Sequence, residues 1–130
     1  MYNNGDINSA LASGSPDALL VVGQMFAVGA QQSAAMDTIA QGISAGDVTR
    51  DRPLALGELM DTTQGYYTYP GSLTTPTCNP VVTWVVLASV LHISQATIDA
   101  FLGISKDALK ISEHGNYRNL QPLGDRIVYR

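Results

Sequence analysis

Residues 66–84 read YYTYPGSLTTPTCNPVVTW. Tyr66, Tyr67, Thr68 and Tyr69 favour an extended chain, because aromatic and β-branched side chains pack well on a pleated surface. From Pro70 to Pro80 the residues change to Pro, Gly, Ser, Thr and Asn, the chemistry of turns. Val81, Val82, Thr83 and Trp84 then open a second β-branched, apolar run that continues to Leu91. The stretch therefore reads as strand, long loop, interior strand. It lies within residues 62–98, which contain no Asp, Glu, Lys or Arg.

Working outward, residues 17–29 follow Ser15-Pro16 and carry Leu19, Leu20, Val21, Val22, Met25, Phe26 and Val28. Near-continuous apolar character of this kind marks a strand covered on both faces. Gln24 is its one clear polar intrusion. Over residues 33–45, Met36, Ile39, Ala40 and Ile43 recur at helical spacing and form a single stripe, with Gly46 as the stop. Charge concentrates at residues 47–52, an expected exposed loop, and residues 54–60 suit a helical turn. Ser94 can cap a short helix bearing Ile98, Phe101 and Leu102, stopped by Gly103. Residues 127–129 can close with a short strand. The two apolar strands each want cover on both faces, yet the helices are few and short. A chain of 130 residues buries only about two-thirds of its unfolded surface. Either the helices cover more than the pattern reveals, or part of the covering protein is missing.

Composition narrows the function classes. Apolar residues make up 45% and charged residues only 14%, against a usual ~25%, which is a folded, core-rich balance. The net charge is −4 with seven Lys and Arg and no basic run, so nucleic acid and anionic membrane are poor partners. No stretch approaches the ~20 apolar residues of a membrane span. The opening residues Met1 to Asp6 are polar, unlike a signal peptide. One cysteine, Cys78, excludes an internal disulfide. Taken alone it suits a reduced compartment, as a small buried thiol.

The 66–84 stretch resembles the active-site signature of the α-class carbonic anhydrases, Y-x-Y-P-G-S-L-T-T-P followed by V-T-W. Residues 15–29, SPDALLVVGQMFAVG, are similar to the family strand that forms one pocket wall. Residues 116–123, NYRNLQPL, resemble the family's N-x-R-x-x-Q-P-L. The resemblance covers nearly the whole chain, 1–130, but only the C-terminal half of the family domain. It implies a β-dominated α+β fold, part of the carbonic anhydrase-type mixed central β-sheet with short peripheral helices. It also implies the family's reaction, reversible hydration of carbon dioxide to bicarbonate on Zn2+. The family's zinc histidines, an H-x-H and one further His, would precede Met1. His92 and His114 are 22 residues apart with no third His, and zinc needs about three protein ligands converging at ~2.0–2.3 Å.

Carried over by motif, Thr74 is the catalytic hydroxyl that orients the zinc-bound nucleophile, and its β-branched side chain is stiff at χ1. Val21, Leu73, Val82 and Trp84 match the apolar wall that receives carbon dioxide, and Thr75 matches a pocket-edge hydroxyl. Apart from the motif, each of the apolar residues reads as plain core. The chain departs from the family at Thr77, where a second proline is frequent, and at Tyr67, where Trp is frequent. Cys78 matches a cysteine that secreted members pair with one near their N-terminus, which points to secretion of a full-length parent. Two readings remain open: a piece of a catalytic parent, inactive alone, or a carbonic anhydrase-related binding module without catalysis. For the isolated chain, exposed apolar surface implies self-association.

Overall fold

The computed structural model describes residues 6–30, 33–46, 56–107 and 117–130. In chain order the elements are α1 (Ile7–Ser13), β1 (Leu19–Val28), α2 (Ala34–Ser44), a 3-10 turn (Leu56–Leu59), β2 (Tyr66–Gly71), β3 (Val82–Ile93) and α3 (Gln95–Asp107). The strands form one sheet in the order β1-β3-β2. β2 lies antiparallel to β3, with Tyr66 opposite Leu87 and Gly71 opposite Val82. β1 runs parallel to β3: Leu19 N–H donates to the Val81 carbonyl at one end (2.9 Å), and Gly29 N–H to the Ile93 carbonyl at the other (3.1 Å). The sheet is thus mixed and carries short helices, the α+β architecture expected. Pro70 falls inside β2, beyond the expected end of that strand. An outer strand tolerates a residue without an N–H.

The chain divides into two compact units, and β1 and β3 each contribute to both. The first comprises residues 1–23, 64–88 and 117–130. Its core is Ala10, Ala18, Val81 and Val82, with Leu11, Leu19, Val21, Leu73 and Trp84 packed around it. Ala10 and Leu11 come from α1, an element the sequence pattern did not reveal. The Asp6 carboxylate caps α1, accepting from the N–H groups of Asn8 (3.0 Å) and Ser9 (3.3 Å), and Gly14 ends it at φ 64°. In place of the short strand expected at 127–129, Tyr129 alone exchanges a pair of 2.9 Å backbone hydrogen bonds with Thr68.

The second unit comprises residues 24–63 and 89–116. Ser33 caps α2; of the predicted stripe Met36 and Ala40 are buried and Ile39 and Ile43 half-buried, with Ala35 buried beside them. α3 packs against α2, and the buried Thr97 hydroxyl donates to Asp37 Oδ1 at 2.9 Å. α3 runs through Gly103 rather than stopping there. Glycine weakens a helix interior by ~1 kcal/mol but ends a helix only when it turns left-handed, which Gly103 does not. Phe101 and Leu102 are exposed. Gln24 has a structural explanation: its Nε2 donates to the Ser89 carbonyl (2.9 Å), and its Oε1 accepts from Asp61 N–H (3.0 Å). The charged loop expected at 47–52 and His114 lie outside the described residues.

β1 departs from the expectation of double cover. No residue of β1 is fully buried, and Leu20 is 66% and Met25 57% exposed. The departure lies on one face: Leu19 and Val21 pack on the core, while the alternate residues Leu20 and Val22 point to the opposite, exposed face.

Candidate functional site

The 66–84 stretch folds as β2, a closed loop and the start of β3. Three backbone hydrogen bonds hold the loop: Leu73 N–H to the Asn79 carbonyl (3.0 Å), Cys78 N–H to the Thr75 carbonyl (2.7 Å) and Val81 N–H to the Asn79 carbonyl (2.9 Å). The Pro76–Thr77 bond is cis, and Cys78 has a positive φ of 58°. Within the loop Leu73 is half-buried, while Thr74 and Thr75 are exposed at the tip. Cys78 is half-buried with a free thiol.

The wall residues are brought together. Val21, Leu73 and Trp84 pack on the core that contains the fully buried Val82. Val21 and Trp84 stand on neighbouring strands, each half-buried rather than buried. Thr74 is not among the residues packed on this cluster. It lines a cavity of about 330 Å³ with Tyr69, Ser72 and Trp84, so Trp84 is the residue common to both surfaces. Neither the Thr74 hydroxyl nor its N–H makes a hydrogen bond among the described residues. Trp84 is anchored by its indole Nε1, which donates to the Ser72 carbonyl at 3.1 Å. Gly71 leaves the indole its space, since a Cβ there would sit 2.6 Å from Trp84 Cδ1.

The far wall of the cavity comes from residues the motif reading left without a role. Arg118, Gln121 and Leu123 lie in or beside the NYRNLQPL segment, and Arg126 follows it. Arg118 donates to the Ser72 hydroxyl and to Gln121 Oε1 (3.2 Å), and so ties this segment to the motif loop. Two arginines in a chain with only seven cationic residues were the available signal.

Comparison with known proteins places this geometry in a family. The eukaryotic-type carbonic anhydrase family model matches residues 1–130. The chain belongs to the carbonic anhydrase family. It is 33% identical over 114 residues to a carbonic anhydrase of Pectobacterium atrosepticum, covering 85% of this chain and 43% of that protein. It is 41% identical over 73 residues to carbonic anhydrase 7 of Mus musculus, covering 54% of this chain and 28% of that protein. A carbonic anhydrase of Neisseria gonorrhoeae is 35% identical over 86 residues, covering 66% of this chain and 31% of its own length. The chain therefore spans less than half the length of these curated relatives.

Carbonic anhydrases use zinc as a general property of the family. Among the described residues, no group of three or more His, Cys, Asp or Glu is placed to hold a metal ion. His92 is exposed on β3, its ring packed closely over Gly29. The described residues of this carbonic anhydrase chain do not by themselves fit a zinc site. No described helix is long and apolar enough to cross a membrane.

Proposed function

We propose that this chain supplies the pocket wall and positioning hydroxyl of a domain that interconverts carbon dioxide and bicarbonate, with zinc held by residues of a longer parent. The observation that carries this reading is Thr74. Its exposed hydroxyl has both donor and acceptor capacity open, and it shares a cavity wall with Trp84. A hydroxyl in that state can orient a small oxygen nucleophile, and Thr is stiff enough to do so with little reorganisation. Val21, Leu73, Val82 and Trp84 form one apolar cluster. Carbon dioxide has no net dipole, so such a surface suits it. Thr75 stands beside Thr74 at the exposed edge.

Taken alone, the chain is proposed to be inactive. Placing a substrate is not turnover when no group nearby makes a nucleophile available at neutral pH. Metal analysis of the dialysed chain, with a pH-indicator hydration assay, tests this. Stoichiometric zinc with sulfonamide-sensitive activity would overturn it. In a parent carrying upstream histidines, Thr74→Ala should lower the hydration rate by roughly 100-fold, the scale of losing one positioned hydrogen bond at a reacting centre. Unchanged activity there would remove Thr74 from the mechanism. A parent without such histidines would instead favour a carbonic anhydrase-related binding module.

The same reading extends to partners and compartment. The exposed side chains of β1 give the isolated chain a surface for a second copy of itself. Cys78, at the position of a secreted-family disulfide cysteine, suits a secreted parent. A mobility shift of that parent on reduction is the expected result, and its absence would count against secretion.

A further inference from the structure

The cavity that Thr74 lines is bordered by Arg118 and Arg126, with no Asp or Glu among its described lining residues. The same pair walls a second hollow of about 350 Å³ with Pro16, Pro70, Pro80 and Pro122, again with no carboxylate among the described lining residues. Both arginines are half-buried. Their hydrogen bonds go to neutral acceptors. Arg118 donates to Ser72 Oγ and Gln121 Oε1. Arg126 donates from Nε to the Leu123 carbonyl (3.0 Å), from Nη2 to the Pro122 carbonyl (2.6 Å) and from Nη1 to the Pro70 carbonyl (3.4 Å). A guanidinium has five N–H donors, so each group retains some that are unused by described residues. The chain as a whole is acidic at −4, whereas the charged residues among the described lining of both hollows are arginines. A half-buried guanidinium with unused N–H groups is a ready partner for an anion.

The rest of the wall decides which anion. Tyr69 and Trp84 present aromatic surface, and Leu123 and Val128 present aliphatic surface. At about 330 Å³ the space is at the small end of ligand pockets, which run to roughly 1,000 Å³. We propose that this cavity binds a small carboxylate with a flat apolar body, an aryl carboxylate of the benzoate type. The planar carboxylate matches the guanidinium fork, and the ring lies against Tyr69 and Trp84. This goes beyond the carbon dioxide reading and does not rest on it, because neither zinc nor turnover enters.

Trp84 is the single tryptophan of the chain and lines the cavity, so its fluorescence reports binding directly. The experiment titrates the full 130-residue chain with sodium benzoate, at ionic strength held constant with chloride, and repeats it with benzyl alcohol. Benzoate should give a saturable change, and the neutral analogue should bind at least about tenfold more weakly, the scale of one charge-assisted hydrogen bond. Arg118→Gln and Arg126→Gln, each checked for retained far-UV circular dichroism, should weaken benzoate by about tenfold while leaving benzyl alcohol unchanged. Equal response to the two compounds in the unaltered chain would overturn the proposal without any variant. Undiminished benzoate binding in both folded variants would overturn it as well.

Discussion

β1 and β3 are alike in composition and unlike in environment. Each is a long apolar run with few polar residues, Gln24 on β1 and Thr83, Ser89 and His92 on β3. On β3, Val82 is fully buried, and Leu87 and Ile93 are each 4% exposed. On β1 no residue is fully buried, and Leu20, Val22, Met25 and Val28 are exposed. The difference is one of face cover: Leu19 and Val21 on one face of β1 pack on the core, while Leu20 and Val22 on the opposite face stand exposed. Hydrophobicity along a chain states how much cover a strand requires. It does not state whether the same chain provides it.

That contrast can be broken most directly at its extremes. Val82→Ala should destabilise the chain by about 2–3 kcal/mol, from lost transfer energy and the cavity left behind. Leu20→Ala should stay within about 0.5 kcal/mol, as exposed positions do. Chemical denaturation of both variants checks this, and equal losses would mean that β1 is covered as β3 is. Next in size is the tie between the strands. Gln24→Leu removes the partner of Asp61 N–H and of the Ser89 carbonyl, and should cost about 1–3 kcal/mol as those groups lose their hydrogen bonds. No loss in the same denaturation assay would mean that water replaces the side chain at no cost.

Leu20→Lys with Val22→Lys sharpens the contrast in another way. These alternate positions share one face of β1. The double variant should change stability little, yet reduce sedimentation-detected self-association of the isolated chain. Unaltered association would move the contact surface away from β1.

The smallest expected effect is on pH. The Thr63 hydroxyl and N–H hold the Asp61 carboxyl below its ordinary range, and the Ser9 hydroxyl with Asn8 N–H does the same for Asp6. Carboxyls depressed by folding add stability that is complete above the unfolded value and is lost as pH falls through the folded one. Acid unfolding should therefore start below about pH 5, and Thr63→Val should shift the acid limb slightly upward in pH. An unshifted limb would remove Asp61 from the balance.

Much of the site was legible because it is local. The strand–loop–strand reading of 66–84 needed only turn residues between two β-formers, and the helix over 33–45 with its Met36 and Ala40 stripe needed only helical spacing. α1 escaped because seven residues with a small apolar face carry little periodic signal, although Asp6 and Gly14 are proper caps. Gly103 misled because a glycine stops a helix only through a left-handed turn, which composition does not reveal. The arginines opposite Trp84 escaped because nothing local connects residues 118 and 126 to residue 84.

By itself the sequence determined the family, through a long motif whose residues are adjacent, and the two strands, through side-chain type. Tertiary structure alone decided which strand would be the centre of the sheet and which faces would be covered, so that Val82 is core while Leu20 is surface. It alone separated Thr74 from Leu73, turning one outward to a cavity and the other onto the apolar cluster. It alone set Arg118 against Ser72 and so built the far wall of that cavity. The reason is physical: burial and pairing depend on neighbours dozens of residues away, and no short window of sequence contains them.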